Sequence, residues 1–279
     1  MKRFILSLVA AFTLLGLSSC VYSYQSNSSA RLETREEMKT WPIEGIKNIK
    51  SIDVRQGIEV KYAQGGERKI MVSTNIKDNQ KLEIKFDGDD EMSIGYSGNV
   101  SVNTDKVKTI ITISGYDVSE FEATSSATIE VAPNYSNNGK LSLDVSSAGT
   151  IKMSVVQASR IEAEASSSGD IILTQVNVDD FEIDASSGAD IVVNNLVAKY
   201  VSAEASSGAD IKLGGKATRV DFDASSGADI KAENLQAEEG SAEATSGADV
   251  RCQVLRLTQK SSSGGDVVNV VKKNATPQS

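Results

Sequence analysis

The sequence predicts an all-β chain folded as a single-stranded β-solenoid, right-handed β-helix-like, with rungs of about 20 residues. Three observations lead there. A Ser-Ser-Gly-Ala-Asp-Ile motif recurs through the second half at a nearly constant interval, apolar and polar side chains alternate strictly on both sides of each copy, and almost nothing between the copies reads as a helix.

Residues 1–19 read as a signal peptide. Lys2-Arg3 precedes an apolar run from Phe4 to Leu17, which leads into Leu17-Ser18-Ser19-Cys20. A basic start, a short apolar core and a small-residue cleavage site make a secretory signal, too short for a comfortable membrane span. Cysteine directly after Leu-Ser-Ser resembles the bacterial lipobox, in which the thiol is diacylated and becomes the new N-terminus. Cys20 is therefore the expected lipidation site, and the membrane the expected partner at this end. Each buried CH₂ of an acyl chain contributes about 0.8 kcal/mol, and two or more chains hold stably. The alternative is an ordinary signal peptide with a chance cysteine. The expected location is the cell envelope, on the outer membrane. No acidic cluster follows Cys20, so either face of that membrane stays open. Residues 20–43 are polar and lack periodicity, so they read as a tether.

Residues 44–119 form an N-terminal β region without the repeat motif. Alternation is visible in Ile52/Val54, Ile58/Val60, Ile70/Val72, Leu82/Ile84/Phe86 and Met92/Ile94/Tyr96, with turn clusters such as Gln64-Gly65-Gly66-Glu67 between them. An open rung offers unpaired edges to other chains, so this region is expected to be a cap or a set of irregular rungs.

Residues 120–271 carry the regular repeats. Aligned on the Asp or Thr that follows each turn, eight copies are spaced 22, 20, 20, 20, 19, 20 and 17 residues apart. Around the fourth turn, Phe181, Ile183 and Ala185 face one way and Glu182 and Asp184 the other; Ile191 and Val193 return to the apolar side. No single rung can bury its own apolar side, so only a stack is stable, with corresponding residues about 4.8 Å apart. One interior column reads Val131, Met153, Leu173, Val193, Leu213, Ala232 and Cys252, which makes Cys252 a buried core thiol rather than a nucleophile. Residues 272–279 are a tail that opens with Lys272-Lys273, a gatekeeper pair after Val267-Val268-Asn269-Val270-Val271.

Stacking also produces two acidic columns. One is Thr128, Thr150, Asp170, Asp190, Asp210, Asp229, Asp249 and Asp266, where each turn meets its strand; the aspartates form a candidate cation- or partner-binding ladder. The second ladder is Glu122, Asp144, Glu164, Asp184, Glu204, Asp223 and Glu243. Like charges about 4.8 Å apart repel by on the order of 0.9 kcal/mol per neighbouring pair in water. Three arrangements would offset this in the aspartate row. Each Asp can accept hydrogen bonds from backbone N–H groups of its own turn. Lys152, Lys212, Lys231 and Arg251, two positions on, can neutralise part of the row if they share its face. Calcium can sit between rungs, since Gly-Ala-Asp-Ile superficially resembles the Gly-x-Asp element of calcium-binding β-rolls, although that element repeats every nine residues. Apart from calcium, no cofactor is expected.

Composition narrows the chemistry. The 279 residues include no histidine, which excludes Ser-His-Asp and Cys-His catalysis and histidine-ligated metal sites. Cys20 and Cys252 are the sole cysteines, so there is no disulfide framework. Net charge is −9, and the excess is local: residues 120–270 hold 23 Asp/Glu against 11 Lys/Arg, while residues 21–119 hold 15 against 14. Such a surface repels phosphate backbones and excludes nucleic acid as a partner; it suits cations or basic partners, or it serves to keep a long β-surface soluble.

The lipobox at Cys20, the opening Ile52-Asp53-Val54-Arg55-Gln56-Gly57-Ile58-Glu59-Val60 and the serial Ser-Ser-Gly-Ala-Asp-Ile rungs together resemble the putative auto-transporter adhesin, head GIN domain proteins common in Bacteroidetes-type bacteria. That resemblance implies an all-β solenoid in the cell envelope and supplies no catalytic residues. The leading expectation is a non-enzymatic envelope lipoprotein, an adhesin or scaffold that presents a repetitive acidic face to a protein or glycan. The alternative is a carbohydrate-active β-helix lyase or hydrolase, for which Asp179-Asp180 and Glu238-Glu239 are the paired acids off the ladders. Aromatic content of 5% and the lack of histidine count against it.

Overall fold

The computed structural model describes residues 30–271 apart from Asp89 and Asn99. The expected signal peptide, Cys20 and the 272–279 tail lie outside the described residues. The described chain is a β-solenoid with rungs of about 20 residues, and its only helical element is a single 3₁₀ turn, Asn79–Lys81.

Nine strands come from the first part: β1 (Ala30–Arg31), β2 (Thr34–Ile43), β3 (Ser51–Arg55), β4 (Glu59–Ala63), β5 (Lys69–Ile76), β6 (Leu82–Asp87), β7 (Glu91–Tyr96), β8 (Val100–Ser101) and β9 (Thr109–Ser114). β3 and β4, joined by the Gln56-Gly57 turn, make one rung. On one side it pairs in parallel with β7 and β9 (Ile52 opposite Met92, Val60 opposite Ile111). On the other it pairs in parallel with β10 (Glu120–Thr124) and β11 (Thr128–Val131), Ile52 meeting Phe121 and Val60 meeting Ile129. The chain therefore builds outward first, then crosses back to continue the stack from the opposite side. β5 lies antiparallel on β9, β2 antiparallel on β5 and β6 antiparallel on β7, which covers the outer end.

β2 corrects the expected 20–43 tether. Residues 34–43 form an edge strand with Trp41 and Ile43 packed against the core, whereas Glu36 through Thr40 are exposed on both faces. An edge strand exposed on both sides shows no two-residue hydrophobic period, so its sequence looks unstructured.

The regular rungs follow: β12 (Tyr135–Val145), β13 (Thr150–Ala165), β14 (Asp170–Ala185), β15 (Asp190–Ala205), β16 (Asp210–Ala224), β17 (Asp229–Ala244), β18 (Asp249–Ser261) and the short β19 (Asp266–Asn269). Each pairs in parallel with the next, and Ile171, Ile191, Ile211 and Ile230 stand in register. Each long strand bends twice. In β14 the inward alternation breaks at Thr174-Gln175 and at Asp179-Asp180, and the ladder to β15 skips Thr174/Asn194 and Asp179/Lys199. With the Ser-Ser-Gly turn as third corner, every rung has three faces, Asp170–Leu173, Gln175–Val178 and Asp180–Ala185 in β14. The core is the column they enclose. Near its first rungs it holds Tyr62, Phe121 and Tyr135, whose rings meet edge-on at 5.2 and 6.2 Å. The buried hydroxyls find carbonyls, Tyr62 donating to Tyr116 at 2.6 Å and Tyr135 to Val118 at 2.9 Å.

Both central residues of each corner turn are left-handed. Ser187 and Gly188 have φ of 54° and 70°, and Ala189 N–H donates to Ser186 at 3.2 Å, a type I′ turn. Earlier turns place Ala148 (61°) and Ser168 (62°) where later ones use glycine. Ser168→Gly is expected to stabilise the protein by about 1 kcal/mol, and Gly208→Ala to cost about 1 kcal/mol for conformation alone, since nothing lies within 4 Å of the added Cβ. Gly240→Ala is expected to cost more than either, because its Cβ falls 2.2 Å from the Val220 carbonyl oxygen. Denaturant midpoints of the three variants check this order.

Candidate functional site: an acidic groove along the stack

The Ser-Ser-Gly corner is flanked by both acidic columns, one just before it and one just after. The pairing register brings each into line. Thr128, Thr150, Asp170, Asp190, Asp210, Asp229, Asp249 and Asp266 stand on consecutive rungs.

Hydrogen bonds from turn N–H groups to these aspartates do not form. Backbone carbonyls already take those donors: Ala189 N–H goes to Ser186 within the turn, and Gly188 N–H crosses to Ser207 of the next rung, each at 3.2 Å. Neutralisation comes from the same face instead. Lys231 Nζ lies 2.7 Å from Asp210 and 3.1 Å from Asp229, bridging two rungs. Asp170 has a raised pKa, first from burial and then from repulsion by Asp190, with Lys152 opposing.

The second column is longer than its sequence signal. Asp53 pairs with Glu122, so the row reads Asp53, Glu122, Asp144, Glu164, Asp184, Glu204, Asp223 and Glu243, ending opposite Lys260. Asp53 escapes alignment on the turn motif because its rung turns on Gln56-Gly57. Aspartate and glutamate alternate throughout. Glu122, Glu164 and Glu204 each stand between two aspartates. The ends are tied down, Arg55 holding Asp53 at 2.6 Å and Lys260 holding Glu243. The six carboxylates between them, Glu122 to Asp223, have no ion-pair partner among the described residues.

Along this row runs an open groove of about 380 Å³ lined by Asp144, Glu164, Asp184, Glu204, Asp223 and the corner serines Ser166, Ser186, Ser206 and Ser225. Partial burial against the sheet raises the pKa of Glu122, Asp144 and Asp223, with like-charge repulsion adding to it for Glu122 and Asp223. Asp184, mid-row, is pushed up to about 6, first by burial and then by Glu204, Glu182, Glu164 and Glu162.

The neighbouring column shows the contrast. Arg160 reaches Glu162 (2.9 Å), Asp180 (2.7 Å) and Glu182 (2.5 Å), and Lys140 also meets Glu162. The acid pairs considered for glycosidic chemistry lie along a corner edge. There Asp179 is paired with Lys199 (2.8 Å), Asp180 with Arg160, and Glu239 with Arg256 (3.2 Å). Among the described residues no three His, Cys, Asp or Glu side chains converge as a metal site. Cys252 is fully buried, and burial pushes its thiol up to about 11. One feature had no sequence signal. Running from β15 to the far end of the stack, an open groove of about 720 Å³ is bordered by Val197, Leu255 and Val270 together with Lys216, Gln236 and Glu238.

A family described as "Putative auto-transporter adhesin, head GIN domain" matches residues 48–174 and 170–272. The chain belongs to this family. No curated protein matches it. Its fold is shared with crystal structures of a putative adhesin from Parabacteroides merdae ATCC 43184 (TM-score 0.74, 15% identity, 86% of this chain and 99% of that one) and another from Parabacteroides distasonis ATCC 8503 (0.70, 14%, 86% and 100%). It is also shared with a putative lipid binding protein from Parabacteroides distasonis ATCC 8503 (0.56, 12%, 87% and 100%). The family's adhesin description fits a binding role in the cell envelope; the neighbours show the fold.

Asp184 gives the groove a pH signature. Its folded pKa of about 6 lies above the ordinary 3.8, so ionisation opposes folding. The penalty is fully present above pH ~6 and is relieved as pH falls through 6 toward about 4. Asp184→Asn is expected to raise stability at pH 7 by about 1 kcal/mol after solvent screening, or about 2–4 °C in thermal midpoint. Calorimetry from pH 7 to pH 4 is expected to show that gain shrinking, and added salt should shrink it as well.

Proposed function

We propose that this protein is a lipid-anchored, non-enzymatic adhesin or binding scaffold of the cell envelope. Cys20 carries the anchor, and the acidic groove engages a basic protein surface through repeated weak contacts. The observation that carries the reading is the run of six carboxylates, Glu122 to Asp223, with no ion pair among the described residues, although Arg160 holds Glu162 and Glu182 one column away. Keeping such a row ionised costs stability, and a cationic partner laid along it removes that cost at every rung. Many equivalent sites at a fixed spacing favour avidity over a single strong contact.

The test is a comparison of one neutralised rung with several. Asp184→Asn alone is expected to change binding to polylysine by less than about twofold. Glu164→Gln, Asp184→Asn, Glu204→Gln and Asp223→Asn together should weaken it by about tenfold or more, with the wild-type affinity falling steeply in salt. Loss of binding from Asp184→Asn alone would indicate a discrete site and sink the multivalent reading. Calcium and EDTA arms separate competition by a divalent cation from the effect of ionic strength. Cys20→Ser is expected to release the protein from the membrane fraction. Protease shaving of intact cells, with a periplasmic control, tells a surface-facing adhesin from a periplasmic scaffold.

A further inference from the structure

The stack ends on an incomplete rung. β18 spans Asp249–Ser261, but β19 pairs only with Asp249–Cys252. The next step is covered by a side chain: Asn269 Nδ2 donates to the Val254 carbonyl at 2.8 Å, and its Oδ1 accepts from Val254 N–H at 3.1 Å. From Leu255 to Ser261, β18 has a strand on one side only among the described residues. The exposed apolar side chains gather at the same place. Of five large ones on the described surface, Val197 (57%), Leu255 (68%) and Val270 (39%) all border the 720 Å³ groove.

Charge decides what fits this edge. Arg256 and Lys260 project outward from β18, four residues apart, and each tops a column whose previous member is acidic, Glu239 and Glu243. A further strand continuing these columns is favoured most by acids opposite both. A second copy of β18 brings Arg256 and Lys260 against their own kind, and the chain's own continuation begins with Lys272-Lys273 and contains Pro277, which has no N–H to donate.

We infer that the open edge of β18 is a docking site for an extended acidic segment of another protein, which adds as a parallel strand. Its two acids, four residues apart, face Arg256 and Lys260, and the residue just before the first acid presents an apolar side chain to the groove beside Leu255. Backbone pairing supplies affinity, and the two basic residues supply selectivity and register. This site is separate from the acidic groove and stands whether or not the groove binds.

The probe is a synthetic peptide copying residues 236–244 with Glu238→Leu, which puts an apolar residue before Glu239; Glu239 and Glu243 already face Arg256 and Lys260 from the opposite side. Its counterpart carries Lys at both acidic positions. The acidic peptide is expected to slow amide exchange across residues 255–261 at roughly tenfold or more lower concentration than the basic one, a local readout that basic peptide held in the acidic groove does not move. The double variant Arg256→Glu, Lys260→Glu should reverse that preference across residues 255–261 while exchange in the earlier rungs stays as in the wild type, which a misfolded variant does not give. Equal protection of residues 255–261 by both peptides, or by neither, overturns the inference. Binding that emerges only after residues 272–279 are deleted assigns the edge to the chain's own tail. Dimerisation abolished by Arg256→Glu assigns it to a second copy. Either of these also overturns it.

Discussion

In-register parallel pairing between rungs is the constraint on which the rest of this molecule depends. A rung of about 20 residues has no second layer of its own, so its apolar side chains and its backbone N–H and C=O groups are satisfied only by the rungs on either side. The core is accordingly a column, and irregularities are absorbed without breaking it. β16 is one residue shorter than β15, and the register to its neighbours shifts at the first bend, the one equivalent to Thr174-Gln175. Gly214 and Gly215 sit at that shift, where a Cβ would fall 2.6 Å from the Asn194 carbonyl oxygen and 2.1 Å from that of Leu196. Two glycines let the shortened rung close against its neighbour, and Ala217 to Ala224 resume the register.

The same constraint turns one outward residue per rung into a continuous line of charge. Nothing local requires that line to be acidic throughout. One column away, Arg160 is set among Glu162, Asp180 and Glu182, and across the corner Lys231 bridges Asp210 and Asp229, so this backbone readily accommodates compensated charges. In the groove column ion pairing among the described residues is confined to Arg55 and Lys260 at the two ends. Solubility is served equally well by mixed charges. A row that opposes folding at its midpoint, where Asp184 is pushed up to about 6, is a local conflict, and the proposed binding role rests on it.

The regular rungs were legible because they repeat. Eight turn motifs at a near-constant interval made the solenoid, its interior column and the burial of Cys252 readable from residues alone. What stayed hidden lacked either a period or a motif. β2 has no inward face over Glu36 to Thr40, so its sequence reads as a tether. Asp53 belongs to the acidic column but sits in a rung that turns on Gln56-Gly57, and its place became visible only through pairing with β10. The aspartate row misled for a different reason. Turn residues make an Asx bond the natural expectation, but in a stack the turn's own N–H groups also face a neighbouring rung, and the carbonyl of Ser207 takes the donor of Gly188. Sequence conveys the contents of a rung well and the demands of its neighbours poorly.

The two ends of the column show how differently an open rung can be closed. At the N-terminal end, β2, β5 and β6 run antiparallel and cover edge and core together. At the other end the inward positions themselves turn polar: the column Ala203, Phe222, Ala242 gives way to Gln259, and Ala205, Ala224, Ala244 to Ser261. A polar side chain in such a position is tolerated only where water or a partner reaches it. β18 is therefore a terminating rung with its side chains already adapted to a polar neighbour, while most of its backbone edge remains free among the described residues. Because β1 and β2 both belong to the opposite end, the chain enters the structure there, and the terminating rung lies farthest along the column from any anchor that precedes Ala30. A solenoid anchored as proposed, through Cys20, and open at the other end keeps its long acidic face and its basic edge accessible together.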